Sequence, residues 1–292
     1  MPGKVDNFQA ETSALTGEQT AIVVLGMHRS GTSSVAGALS ILGAAPPRTL
    51  MQPAEDNPKG FWESEVLMSF NDDLLRAGGS SWSDWRNFDL AGVLRHSPGF
   101  LEEGRQRLDD EFCGQANIVV KDPRICRFFP FWQRVLEDAG YRVVVVSPLR
   151  SPREVASSLL ARNTMTVEQA GRLWLSHVLA AERASRGLPR LFIEWSTFLE
   201  NWRESAKLIK TVLGLSLNVE DAFGAARIDE FLSADLRRQR SIAHQFPEWI
   251  DDAYQILVEM AHRQETRQDH DRLDEIRWGF DQACRAFDDS PH

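Results

Sequence analysis

The sequence predicts an α/β fold of the phosphate-loop type: a parallel sheet with helices on both faces and a helical C-terminal extension. Three observations predict it. Four short apolar runs, AIVVL at 21–25, NIVV at 117–120, YRVVVVS at 141–147 and RLFIEW at 190–195, alternate with helix-period segments. The first run leads straight into Gly26-x-x-x-x-Gly31 and then into Val35, Leu39 and Leu42 at helical spacing. From about residue 221 onward helical periodicity continues with no strand pattern.

Each element has a local reason. Short, continuous apolar runs fit strands buried on both faces of a parallel sheet. GAAPPRTLMQPAEDNPKG, at 43–60, is a Pro/Gly-rich loop, and a helix is expected over 61–76. GGSSWSDWRNFDL is a second loop, read as a lid with an acceptor surface as the alternative, and a helix returns over 100–112. RFFPFWQRVLEDAG is mostly helical, interrupted at Pro130 and closed by Gly140, its aromatic residues supplying core or else an acceptor surface. Ser151, Pro152 and Glu154 spell a capping box with proline at the first helical position. Thr166 and Gln169 spell another, and Thr197 with Glu200 opens the helix after the fourth strand.

The 292 residues suit one domain, expected over 20–292 with 220–292 as a mostly helical extension, behind a polar, flexible tail at 1–19. A net charge of −9 argues against broad nucleic-acid binding and is read as solubility. Cys113, Cys126 and Cys284 are scattered, without a CxxC pair, so neither a disulfide framework nor a zinc site is expected. No run is apolar enough for a membrane span or a secretory leader, and a cytoplasmic, reducing setting is expected.

The turn at 26–31 has the form of a phosphate cradle. Its glycines permit close backbone approach, the amides of Ser30, Gly31, Thr32, Ser33 and Ser34 are expected to face an anion, and the new helix adds its dipole. A nucleotide kinase keeps a lysine after the second glycine, to reach the β- and γ-phosphates. Here that residue is Thr32, and the positive charge sits earlier, at Arg29. The alternative is an ordinary strand-to-helix turn capped by a serine.

Arg29-Ser30-Gly31-Thr32-Ser33 resembles the 5′-phosphosulfate loop of sulfotransferases that use 3′-phosphoadenosine 5′-phosphosulfate. Their 3′-phosphate motif, a strand, an arginine and a serine eight residues later, is matched by VVVVSPLRSPREVASSL, with Arg150 and Ser158. Arg150 leaves the carboxyl end of a strand, where open α/β sheets bind ligands. Arginine offers a forked, charge-assisted contact to phosphate. A surface arginine and serine are the alternative, and Arg153 is expected to be solvent-exposed. NIVVKDPR resembles the Lys-Asp-Pro segment of the Golgi-type and tyrosylprotein branches and their bacterial relatives; NPKGFWES and LFIEWSTFLENW are similar to further family segments. The sequence departs from the cytosolic branch at Ser34, where an adenine-stacking aromatic would stand, and lacks its C-terminal Arg-Lys-Gly motif, for which LRRQR at 236–240 is a substitute or a helix-surface charge.

The resemblance implies sulfuryl transfer from that donor to a hydroxyl on a carbohydrate or other small molecule, releasing adenosine 3′,5′-bisphosphate, with no metal. Arg29 would stabilise the leaving 5′-phosphate and Lys121 the sulfuryl group, although a buried salt bridge with Asp122 would account for Lys121 equally. Glu63, after the aromatic pair Phe61-Trp62, is the chosen general base. Glu65, His177 and Asp122 are the next candidates, and a helix N-terminal charge is the structural alternative for Glu63. His28 is expected to shape the loop and His177 to be a satisfied core histidine. A nucleotide or sugar kinase with a degenerate loop and a non-catalytic nucleotide-binding module remain as other readings. The acceptor, the adenine partner and the oligomeric state are left open.

Overall fold

The computed structural model describes residues 19–55, 57–232 and 242–288. In chain order it contains β1 (Thr20–Val24), α1 (Thr32–Ile41), α2 (Glu65–Ala77), α3 (Leu90–His96), α4 (Phe100–Phe112), β2 (Asn117–Lys121), a 3-10 turn (Pro123–Arg127), α5 (Phe129–Asp138) and β3 (Arg142–Leu149). There follow α6 (Pro152–Arg162), α7 (Val167–Ala184), β4 (Arg190–Glu194), α8 (Trp195–Glu200), α9 (Trp202–Leu213), α10 (Ala222–Phe231), α11 (Glu248–His262) and α12 (Arg267–Asp288). The tail at 1–18 and the LRRQR segment lie outside the described residues.

All four expected strands form one parallel sheet in the order β2-β1-β3-β4. Strand alternation sends successive side chains to opposite faces, so each strand feeds two cores. Ala21, Val23, Ile118, Val120, Val143 and Val145 pack with α2, α4 and α5 around Phe70, Phe131 and Trp132. Ile22, Val24, Val119, Val144 and Val146 pack with α1, α8, α9 and α10 around Phe198 and Ile209. A third core joins α6 and α7 to the C-terminal α11 and α12 around Trp174, Phe246, Leu257 and Leu273. Among the described residues no helix is long and apolar enough to cross a membrane.

Register positions the site. Val24 of β1 lies beside Lys121 of β2 and Val146 of β3, and Leu149 lies beside Glu194 of β4. The carboxyl ends of the four strands therefore open onto one edge, the edge at which such sheets bind ligands.

Five local expectations are corrected. The helix expected from residue 61 starts at Glu65, because Ser64 caps it by accepting from the Leu67 amide while Trp62 takes a left-handed φ of 58° that a helix cannot contain. Helix, expected to return at Phe100, already returns at the end of the FDL loop with α3, capped by Asp89 accepting from the Gly92 amide. The Ser151–Glu154 box does not form: the Glu154 carboxylate accepts from Arg150 Nε at 3.0 Å instead. The helix after β4 begins directly at Trp195 and breaks at Asn201, whose side chain caps α9. Arg153 is not a solvent arginine, since it makes a two-pronged bond to Asp251 at 2.6 and 2.9 Å that ties α6 to α11. The Thr166–Gln169 box is present as expected.

Candidate functional site

The turn after β1 is built from backbone constraints. The Ser30 amide bonds back to the Met27 carbonyl at 3.2 Å, Arg29 takes a left-handed φ of 66°, and Gly31 takes φ 87° immediately before α1. An alanine at Gly31 would be strained by that φ and would also drive its Cβ to 2.3 Å from the Trp195 ring. Gly26 is a close-approach position, its imagined Cβ lying 2.9 Å from Thr32 Cγ2. At a helix start the first amides have no partner within the helix. The Ser34 amide is already bonded to the Gly31 carbonyl at 3.1 Å, and Ser30 is buried off the cavity. The amides of Gly31, Thr32 and Ser33 are thus the ones left at the mouth of the turn.

The left-handed conformation of Arg29, costly for a side-chain-bearing residue, is held from outside. Arg150 Nη1 donates to the Arg29 carbonyl at 3.0 Å, and Arg29 Nε donates to Ser158 Oγ at 2.8 Å. Two segments about 120 residues apart in the chain are thereby joined into one surface. Arg150 is itself fixed, by Glu154 and by Trp174 Nε1 donating to its carbonyl at 3.2 Å.

Across the opening stands Lys121, the last residue of β2. Its ammonium donates to Ser33 Oγ at 3.2 Å, to the Phe61 carbonyl at 3.0 Å and to Glu63 Oε1, so all three of its protons are engaged. The salt-bridge partner expected for Lys121 was Asp122; the structure makes it Glu63. Alternation along β2 explains the change, since Asp122 points the other way, accepting from Asn71 Nδ2 at 2.9 Å and from Arg124 Nη1 at 3.0 Å. Asn71 in turn accepts from Trp132 Nε1 at 2.8 Å, and Arg124 Nε bonds Asp72 at 2.6 Å. This second layer braces Lys121 and Glu63 from below.

Glu63 is buried at 6% exposure in the segment just before α2, not on a helix turn. Burial raises its carboxyl above the usual range, with Lys121 opposing and Asp122 reinforcing the rise. Glu65, by contrast, is exposed in the first turn of α2 and does not line the cavity. His28 is half-buried, with its ring against Trp82 and His177, centroids 5.2 and 5.8 Å away. His177 Nδ1 meets the Leu173 carbonyl at 2.9 Å. Burial, with nearby cations, depresses both imidazoles, His177 to about 3. Both are neutral groups at neutral pH.

These residues enclose a cavity of about 800 Å³. It is lined by Arg29, Gly31, Thr32, Ser33, Ser34, Glu63, Lys121, Arg150 and Ser158, every one a residue singled out by sequence. Lys59, Phe61, Arg162 and Trp195 also line it and were not assigned there. Two of them carried a signal. Trp195 follows β4 directly, at the same strand-end edge as Arg150, and Arg162 lies four residues after Ser158 on one helix face. Among the described residues, five basic side chains, Arg29, Lys59, Lys121, Arg150 and Arg162, face two acidic ones, Glu55 and Glu63. The cavity is therefore basic inside a chain of net charge −9.

Among solved structures, the chain is similar in fold to the sulfotransferase domain from the Synechococcus PCC 7002 olefin synthase, at 12% identity and a TM-score of 0.45, covering 85% of this chain and 95% of that one. It is similarly related to the sulfotransferase domain from the curacin biosynthetic pathway, at 12% identity and a TM-score of 0.45, covering 85% of this chain and 99% of that one. No family model matches the chain, and no curated protein does.

Proposed function

We propose that the chain is a sulfotransferase that moves a sulfuryl group from 3′-phosphoadenosine 5′-phosphosulfate to a hydroxyl of a carbohydrate or other small molecule, in a cytoplasmic setting. The observation that carries this reading is the link from Arg150 to the Arg29 carbonyl and from Arg29 to Ser158 Oγ. It makes two phosphate-type cradles, a helix-start turn and a strand-end arginine with a helix serine, into neighbours on one cavity wall. A ligand with phosphate groups at both ends of a nucleoside matches that arrangement better than a triphosphate chain running along one loop. Thr32, where a kinase lysine would stand, points the same way.

On this reading the amides of Gly31, Thr32 and Ser33 and the Arg29 guanidinium hold the 5′-phosphosulfate, and Arg150 with Ser158 holds the 3′-phosphate. Glu63 takes the acceptor's proton as the acceptor oxygen bonds to sulfur. The bond from sulfur to the bridging oxygen breaks, and its electron pair stays on the departing 5′-phosphate, where Arg29 stabilises the charge. Lys121 turns from Glu63 and Ser33 toward the sulfuryl oxygens. Losing that ammonium makes Glu63 more basic at the moment a proton must be accepted, so one movement serves both residues.

Calorimetry is the test. Adenosine 3′,5′-bisphosphate is expected to bind in the micromolar range, with Mg²⁺-ATP binding at least about tenfold more weakly, the equivalent of one charge-assisted phosphate contact. ATP binding as tightly as the bisphosphate overturns the assignment in favour of a kinase. Bisphosphate binding without donor-dependent labelling of any glycan, phenol or lipid in a panel would leave a non-catalytic binding module.

A further inference from the structure

Residue 62 has a backbone that its own side chain does not favour. Trp62 takes φ 58°, in the left-handed region, which costs a residue with a Cβ roughly five- to thirtyfold in population. Its neighbours face one way and it faces another. Phe61 and Glu63 line the cavity, whereas the Trp62 ring packs on the core built around α1, α8, α9 and α10.

That conformation is held from outside. Gly37 of α1 leaves a hollow: an imagined Cβ there would fall 2.5 Å from Phe231 Cζ and 2.7 Å from Trp62 Cε2. The two rings meet edge to face in it, centroids 5.6 Å apart. Trp62 Nε1 donates to the Lys59 carbonyl at 3.1 Å, and Lys59 Nζ donates to the Glu230 carbonyl at 3.0 Å, which ties the segment to the end of α10. The consequence lies in the cavity. Rotation about the N–Cα bond of residue 62 swings the peptide group that carries the Phe61 carbonyl. That carbonyl and the Glu63 carboxylate both accept from the Lys121 ammonium. A relaxed, negative φ would turn the carbonyl away from the ammonium that Glu63 holds.

We propose, resting on the sulfotransferase reading, that Trp62 is a positioning residue for sulfuryl transfer: its ring, seated on Gly37 against Phe231, holds the left-handed turn that aims the Phe61 carbonyl and the Glu63 carboxylate at Lys121. The base then stands where the acceptor hydroxyl must arrive, and the ammonium starts beside it. Ordinary core filling makes a different demand on residue 62. A packing site loses more with glycine than with alanine, whereas a left-handed site prefers glycine.

The test substitutes residue 62 in the full chain and reads Lys121 by NMR. With nitrogen-labelled lysine, the Lys121 ammonium resonance is identified by its loss in Lys121→Arg, and the exchange of its protons with water is measured. Trp62→Ala should speed that exchange about tenfold, the scale of the left-handed penalty, and Trp62→Gly should bring it back to within about threefold of the parent chain. Trp62→Phe, which keeps a ring on Gly37, should stay near the parent. Phe231→Ala, which leaves residue 62 unchanged, should speed the exchange as alanine at 62 does. Turnover on an acceptor found by donor-dependent labelling should follow the same order, through kcat, while bisphosphate affinity stays within about twofold. Glycine no better than alanine, parental exchange in Phe231→Ala, or a loss of bisphosphate affinity that matches the loss of turnover overturns the proposal. A parent chain that transfers no sulfuryl group sinks instead the sulfotransferase reading, whatever the exchange rates show.

Discussion

The two walls of the cavity are built on different principles. The wall made by the turn after β1 and the start of α6 is mostly main chain and strand ends. Its key angles, φ 66° at Arg29 and φ 87° at Gly31, are locked by Arg150, Ser158 and the Trp195 ring. The wall opposite is made of side chains that satisfy one another: Lys121 spends its protons on Ser33, Phe61 and Glu63. The first wall is ready for a ligand without rearrangement, as preorganised binding requires. The second must exchange partners before it can act. On the proposed reading, binding falls to rigid elements and chemistry to an ion pair that opens, and the two functions should be separable by mutation.

The largest expected effect is on the second wall. Glu63→Gln should lower turnover by about 10²–10⁴-fold, the usual cost of losing a positioned general base. Glutamine still offers an oxygen to Lys121, so the buried ammonium keeps a hydrogen-bond partner and the fold survives. Bisphosphate affinity, measured in parallel, should stay within about twofold, well below the tenfold that one charge-assisted contact supplies. A fall in affinity to match the fall in turnover would break the division between the walls. Near-normal turnover would remove Glu63 from the role of base.

The next effect belongs to the first wall and sharpens its assignment. Arg150→Ala should weaken adenosine 3′,5′-bisphosphate by about 10- to 100-fold, the worth of a charge-assisted pair in a buried setting. Adenosine 5′-phosphate, which lacks the 3′ group, should lose much less. Equal losses for both nucleotides would mean that Arg150 acts only by holding the Arg29 carbonyl, and the 3′-phosphate assignment would fall.

Much of the first wall was legible in the sequence; the residues of the second, Glu63 and Lys121, were legible too, but their pairing was not, for a physical reason. A strand, a glycine turn and a helix are contiguous, so β1, Arg29, Gly31 and α1 could be read together. Arg150 and Ser158 share one strand-helix unit and were read in the same way. The pairing of Lys121 with Glu63 spans 58 residues and depends on where the 51–63 loop returns to the sheet, which no local pattern encodes. Local rules also failed where a distant partner outbid them. Glu154 gave up a capping box for Arg150, and Arg153, placed where solvent was expected, found Asp251 on α11. All four strands were visible, but their order was not, because it is set by helix packing on the two faces.

The smallest effect tests what supports the first wall from behind, the His28–His177 pair. Burial holds both imidazoles neutral, His177 down to about 3 against an ordinary value of 6.5, with Arg127 adding to the depression. Around the pair stand Arg124, Lys121, Arg162 and Arg127, all cations that oppose its protonation. Between about pH 6.5 and about pH 3 the unfolded chain therefore binds more protons at His177 than the folded chain does. Stability contributed by the neutral imidazole is complete above pH 6.5 and is lost as pH falls through that window. The slope per imidazole approaches about 1.4 kcal/mol per pH unit. Glu63 works in the opposite direction, since its raised value lets the folded chain take up a proton first and gain stability on acidification. His177→Gln removes one of the destabilising contributions and leaves His28 and Glu63 in place. Urea midpoints should show the variant weaker than the parent chain at pH 7.5, with the gap narrowing steadily toward pH 5. Two stability curves that stay parallel across that range would show that His177 is not held neutral by its burial, and the rigid backing assigned to the phosphate-side wall would need another source.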